Sequence, residues 1–259
     1  MPGPKITLVG AGGMAFGPTM VNDVIHTPAL AGSRLVLHDV DEARLLRAYA
    51  FAAKLNAACG APVVLDRTTE AADALEGADF VMSSAEHGRF RYRQQDYEVP
   101  NRHGAHQING ENGGPGAVFH TLRSVANTLS ICRDLERYCP DTFLINLSNP
   151  LSRVALAIDR TTDLRTVSMC HEMPNGVARL AHYLRRDKHD IEASASGINH
   201  FTFFTELRDR RTGEDLLPAV RALFAKRFFD YHPMTVAAVR RLGAIGPLGA
   251  LGDEVYMPL

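Results

Sequence analysis

Two short runs of the chain carry side chains able to do chemistry. The first, Met169-Cys170-His171-Glu172-Met173-Pro174, sets a thiol beside an imidazole and a carboxylate, directly at the end of an apolar stretch, 166–169. That stretch reads as a strand, and in open α/β sheets ligands gather outside the carboxyl ends of the strands. A cysteine next to two ionisable residues at such a place is unusual. Thirty positions later, Gly197-Ile198-Asn199-His200-Phe201 supplies a second histidine flanked by an amide and a glycine. Neither run has the two-residue ligand spacing of a structural zinc site. Taken singly, a core thiol and a hydrogen-bonded structural histidine are the commoner fates of Cys170 and His200.

A third run has a clearer meaning. The apolar segment 6–9 leads into Gly10-Ala11-Gly12-Gly13-Met14-Ala15, the dinucleotide fingerprint with alanine in its third small position. Gly10 permits the tight turn, Gly12 lets the backbone approach a pyrophosphate, and Ala15 is expected to let the following helix pack close to the strand. Gly13 and Met14 complete the loop, and the helix beyond offers its N-terminal amides to phosphate. The second apolar segment, 35–38, ends at Asp39, where a carboxylate can accept hydrogen bonds from the adenosine ribose hydroxyls; this favours NAD over its 2′-phosphorylated relative. His38 keeps the second cofactor in view. The bland alternative is a plain strand-to-helix turn, with Asp39 capping the next helix.

These residues need a scaffold, and the pattern of apolar segments supplies one. Segments 6–9, 35–38, 63–65, 80–83, 143–146 and 166–169 read as strands, with helical stretches such as 42–58 and 121–138 between them. The expectation is an α/β, Rossmann-type doubly wound parallel sheet over 1–172, followed by a mixed α+β domain over 173–259 that is incomplete. In the second part, strands at 191–195 and 201–207, a turn at Thr212-Gly213, and helices at 216–229 and 234–242 are expected. Residues 86–116 are polar, contain Gly113-Gly114-Pro115-Gly116, and read as a long irregular binding loop.

Composition narrows the partners. With 28 basic and 29 acidic residues among 259, the chain has no charge excess directed at nucleic acid or an anionic membrane. A small molecule is the expected partner. Residues 1–9 lack the features of a secretory signal, and no stretch is apolar for long enough to span a bilayer, so a cytoplasmic location is expected. Cys59, Cys132, Cys139 and Cys170 have no disulfide-scaffold spacing, which suits a reducing compartment. All but Cys170 are read as small core residues.

The glycine-rich opening, Asn149-Pro150, Cys170-His171-Glu172 and Gly197-Ile198-Asn199-His200 occur in the order seen in glycoside hydrolase family 4, which the chain resembles along its whole length. It corresponds to the first part of the family's usual length. That family departs from the two-carboxylate rule of most glycosidases by using NAD. The resemblance implies that Cys170 and His200 bind a divalent metal, Mn2+, whose other positions hold sugar hydroxyls and water. It implies that NAD takes hydride from C3 of the sugar, a base removes the C2 proton, and the metal stabilises the enediolate. The C1 substituent then leaves, water adds, and the hydride returns.

By the same resemblance, Asn149 and Asn199 contact the sugar, and His171 or Glu172 protonates the leaving group. Asp253 or Tyr256, in a segment loosely like the family's base-bearing one, would be the base. His171, next to the metal cysteine, points to an unphosphorylated α-glucoside, α-galactoside or α-uronide, because relatives acting on phosphorylated sugars tend to carry Asp or Asn there. Arg89, Arg91 and Arg93 could nonetheless engage a carboxylate or phosphate. Phe203 stands where the family usually has a tryptophan. Relatives assemble as homodimers or homotetramers. Two other readings stay open: an NAD-dependent dehydrogenase of the lactate and malate type, with His200 as proton donor, and a non-catalytic NAD-binding protein.

Overall fold

The six apolar segments all form strands, and the alternation of their side chains sorts them between two helical layers. The computed structural model describes residues 3–106, 113–226, 236, 239–241, 243 and 245. It divides into two compact units, one made of Met1–Arg89 and Thr121–Met169, the other of Phe90–His120 and Cys170–Leu259.

In the first unit, β1 (Lys5–Val9), β2 (Arg34–His38), β3 (Val64–Thr68), β4 (Phe80–Ser83), β5 (Phe143–Asn146) and β6 (Arg165–Ser168) form one sheet in the order β3-β2-β1-β4-β5-β6. Every pairing is parallel. Ile6, Leu8, Leu35 and Leu37 face a layer with α1 (Gly17–His26) and α2 (Glu42–Ala58), through Met20, Val24, Leu45 and Ala52. Val36, Val81 and Leu144 face the opposite layer, with α3 (Ala71–Leu75), α5 (Gly114–Tyr138) and α6 (Leu151–Thr161), through Leu75, Leu135, Val154 and Ile158. Burial on both faces explains why β1 and β2, inside the sheet, read as continuous apolar runs instead of alternating ones, whereas the edge strands β3 and β6 bury no residue fully. Thr7, polar and fully buried on β1, donates its hydroxyl to the Ala74 carbonyl at 2.7 Å. The Asp41 side chain caps α2 by accepting from the Arg44 N–H at 3.0 Å.

The expected irregular loop is largely helical, which corrects the reading of 86–116. Arg89–Arg102 forms α4, and α5 begins at Gly114. Only Asp96 and Pro100 of α4 are buried, so it presents no apolar stripe by which a sequence could reveal it. Pro115 stands in the first turn of α5, where its missing N–H has no intrahelical partner to lose. On α4 the helical period puts Arg89 and Arg93 on one face and Arg91 on the other. Residues 107–112, between these helices, lie outside the described residues.

The second unit contains α7 (Glu172–Leu184), an antiparallel hairpin of β7 (Ile191–Ile198) and β8 (Phe201–Asp209), and α8 (Leu217–Ala225). Its core gathers Leu180, Ile191, Phe204, Leu207, Val220 and Phe224. The hairpin register shifts between Ser194 and Ala195 and ends at the pair Ile198–Phe201, so Asn199 and His200 alone make the turn. The expected helix at 234–242 falls mostly outside the described residues, though Val236 and 239–241 are helical. Among the described residues no helix is long and apolar enough to cross a membrane.

Candidate functional site

The glycine-rich loop is shaped by contacts that leave no room for side chains. Gly10 has φ +81°, and a Cβ there would lie 2.8 Å from Ala85 Cα. A Cβ on Gly12 would lie 2.6 Å from Arg44 Cβ and 2.8 Å from Asp39 Oδ2. The Gly10 and Ala11 amides both donate to the His38 carbonyl at 3.0 Å, tying the loop to the end of β2. Asp39 completes the tie, its Oδ2 accepting from the Gly12 N–H at 2.9 Å and its Oδ1 from the Asp41 N–H at 3.0 Å.

Two details differ from the sequence reading. Ala15 is exposed in a turn and does not bring the helix close to the strand; the turn extends to Phe16, and Gly17 takes that part. A Cβ on Gly17 would lie 2.4 Å from the Ala11 carbonyl oxygen. His38 is buried, with Nδ1 3.0 Å from the Thr68 carbonyl oxygen. A loop closed to any Cβ at Gly10 and Gly12, beside a carboxylate with lone pairs to spare, fits a dinucleotide phosphate and ribose. Met14 is 84% exposed at the loop's edge.

Asn149, also in the first unit, precedes α6 through a cis peptide bond to Pro150, and its Oδ1 accepts from the Leu151 N–H at 3.2 Å. It lines a recess with Phe16, Ser84, Ala85, Glu86, Arg89 and Ser148. Arg89 is engaged there by Glu86 at 2.6 Å. The recess lies beyond the carboxyl ends of β4 and β5, where the fold rule places a ligand.

The second unit brings the thiol and the imidazole together. Cys170 directly precedes α7, His200 closes the β7–β8 turn, and Cys170 Sγ lies 3.4 Å from His200 Nε2. At zinc-like bond lengths of about 2.3 Å to sulfur and 2.1 Å to nitrogen, one cation holding both atoms would separate them by roughly 3.1 Å at a right angle and 3.6 Å at the tetrahedral angle. The observed separation falls between these, and a soft thiolate with an imidazole suits a first-row divalent ion. Among the described residues no group of three or more His, Cys, Asp or Glu side chains is assembled for a metal. Two protein donors leave room for oxygen ligands from outside the chain.

The surroundings favour the thiolate. Burial pushes the Cys170 thiol up, but hydrogen bonds from His200, the Glu172 backbone and the Asn199 side chain outweigh it and hold the thiol below its usual range. Asn199, expected to face a sugar, turns its amide to the sulfur in this arrangement. His171 is exposed at the N-terminal boundary of α7. Glu172, its neighbour, is 5% exposed and accepts from the His200 N–H at 2.8 Å and the Thr202 hydroxyl at 2.5 Å. Sequence reasoning missed Thr202, whose partner is visible only once the hairpin is seen packed beside the start of α7. Asp253 and Tyr256 lie outside the described residues.

Cys59 corrects another expectation. Cys132 and Cys139 are buried, with burial pushing both thiols up to about 11, but Cys59 is exposed at the end of α2, 3.5 Å from His26 Nε2.

The chain is 37% identical to the alpha-glucosidase of Erwinia rhapontici over 220 residues, which make up 84% of this chain and 49% of that protein. It is 32% identical to 6-phospho-alpha-glucosidase 1 of Lacticaseibacillus paracasei over 224 residues, 85% of this chain and 50% of that protein. The chain thus spans about half the length of these curated relatives. A 6-phospho-alpha-glucosidase from gut microorganisms, solved in complex with NAD and Mn2+, superposes with a TM-score of 0.85 at 24% identity, covering 95% of this chain and 59% of that one. At that identity the likeness speaks for the fold. Residues 5–185, from β1 through the glycine-rich loop and Asn149-Pro150 to Cys170 and α7, match the model of the Family 4 glycosyl hydrolases, and the chain belongs to that family.

Proposed function

We propose that this chain takes part in hydrolysing unphosphorylated α-glycosides with the help of NAD and a divalent cation, Mn2+. The observation that carries the reading is the 3.4 Å approach of Cys170 Sγ to His200 Nε2, on a thiol already inclined to ionise. Bound NAD supplies a reversible hydride acceptor at the sugar, and the cation supplies a Lewis acid for its oxygens. Cys170 and His200 hold the cation, and Asn199 steadies the thiolate with its amide. Gly10, Gly12 and Gly13 leave backbone open to the pyrophosphate, while Asp39 accepts from the ribose hydroxyls. His171, exposed beside Cys170, gives a proton to the departing oxygen. Asn149 contacts the sugar. The base that takes the C2 proton falls to Asp253 or Tyr256.

The choice of an unphosphorylated sugar rests on His171, which follows the cation-binding cysteine where relatives for phosphorylated sugars carry an acid or its amide. Turnover of nitrophenyl α-glucoside and of its 6-phosphate, with NAD and Mn2+ supplied or withheld, tests the reading. Release of nitrophenol that needs both additives, with solvent deuterium appearing at C2 of the product sugar, is the expected result. Equal release without NAD, or NADH accumulating with a 2-hydroxy acid, would overturn it.

A further inference from the structure

Glu172 combines features that packing alone does not account for. It is a carboxylate at 5% exposure, and among the described residues it makes no ion pair. Burying such a group is costly unless its oxygens are matched by donors. Here each oxygen has one: the His200 N–H at 2.8 Å and the Thr202 hydroxyl at 2.5 Å. Both oxygens are therefore engaged by the β7–β8 hairpin.

What the carboxylate grips is strained. His200 sits at φ +63°, a left-handed conformation unfavourable to a residue with a Cβ. It is the second residue of a two-residue turn, where glycine or asparagine would be at ease. Residues persist in such conformations only when their surroundings over-determine them. Glu172 supplies that constraint from another element, clamping the turn across 28 positions of sequence. Its place in the first turn of α7 lets the helix N-terminus favour the negative charge.

We infer that Glu172 is a positioning residue for the cation site, its carboxylate fixing the strained His200 turn so that the imidazole meets the Cys170 sulfur, and adding negative charge beside the cation. This rests on the proposed binding of a cation by Cys170 and His200. Partners that orient a metal ligand in this way typically change affinity about 10- to 100-fold when removed. Glutamine keeps the shape and one acceptor for the His200 N–H, while its amide can donate to the Thr202 oxygen, so Glu172→Gln isolates the charge. Glu172→Ala removes clamp and charge together.

Titration of the purified chain with Co2+, followed by thiolate-to-cobalt charge-transfer absorption, and with Mn2+ by calorimetry, reads the site without turnover. Glu172→Ala is expected to weaken binding 10- to 100-fold, and Glu172→Gln less. Thr202→Val removes one hydroxyl, is expected to weaken binding by a smaller factor, and carries the test if the alanine variant does not fold. Affinity unchanged in the folded variants would overturn the inference while leaving the cation reading intact. Absence of the charge-transfer band in the unsubstituted chain would sink that reading and the inference with it.

Discussion

Among the described residues, two thiol–imidazole pairs have nearly equal separation, and their neighbourhoods differ. Cys170 and His200 are 3.4 Å apart in the second unit, and Cys59 and His26 are 3.5 Å apart in the first. Cys170 is half-buried, receives an amide and a backbone N–H besides the imidazole, and faces a histidine held from behind by a buried carboxylate. Cys59 is exposed, and His26 spends its Nδ1 on the Asn22 carbonyl of its own helix at 3.0 Å. Nearness of sulfur and nitrogen is shared; the supporting donors and the anchored turn are not. The proposed cation site is thus set apart by what holds its ligands more than by the ligands alone.

The contrast can be tested hardest at the sulfur atoms. Cys170→Ser is expected to lower Mn2+ affinity more than about 100-fold, beyond the effect of an orienting partner. Cys59→Ser, a surface change, should leave it within about twofold. Equal metal content in the Cys170→Ser and unsubstituted proteins would erase the distinction. Alkylation at pH 8 followed by mass spectrometry gives a second, smaller separation. Cys59 and Cys170 are expected to react in the metal-free protein and only Cys59 with Mn2+ present, while Cys132 and Cys139, pushed up to about 11, stay unmodified.

Gly12→Ala asks whether the support of the Cys170 pair is local. A Cβ there would sit 2.6 Å from Arg44 Cβ, so NAD affinity is expected to fall at least about tenfold, while the cobalt absorption of the Cys170 pair stays unchanged. His26→Ala should have the mildest effect, changing the alkylation rate of Cys59 by no more than about threefold with no effect on Mn2+ binding. A larger loss of Mn2+ binding would give the exposed pair a part in the cation chemistry.

The same contrast explains what could be read in the sequence. Strands β1 and β2 and helix α2 are visible because burial on two faces, or on one helical stripe, writes itself into apolar spacing. The glycine loop is visible because steric exclusion selects one residue type, although the close helix contact falls at Gly17 instead of Ala15. Helix α4 is invisible, since a helix polar all round leaves no period. Cys170 and His200 stood out as residue types, and the family resemblance paired them. The clamp from Glu172 to His200 and Thr202 could not be read, because it depends on how the hairpin meets the start of α7 and on a backbone N–H, which every residue except proline has.

With Asp39 as the proposed ribose partner, its bond from Gly12 would tie cofactor preference to the rigidity of the loop. An engineer who replaced Asp39 by a neutral or basic residue, to admit a phosphate on the ribose, would also remove the acceptor that pins the Gly12 amide at 2.9 Å. Discrimination between nucleotides and preorganisation of the turn then change in one step, and a successful redesign must restore a hydrogen-bond acceptor for that amide from another position.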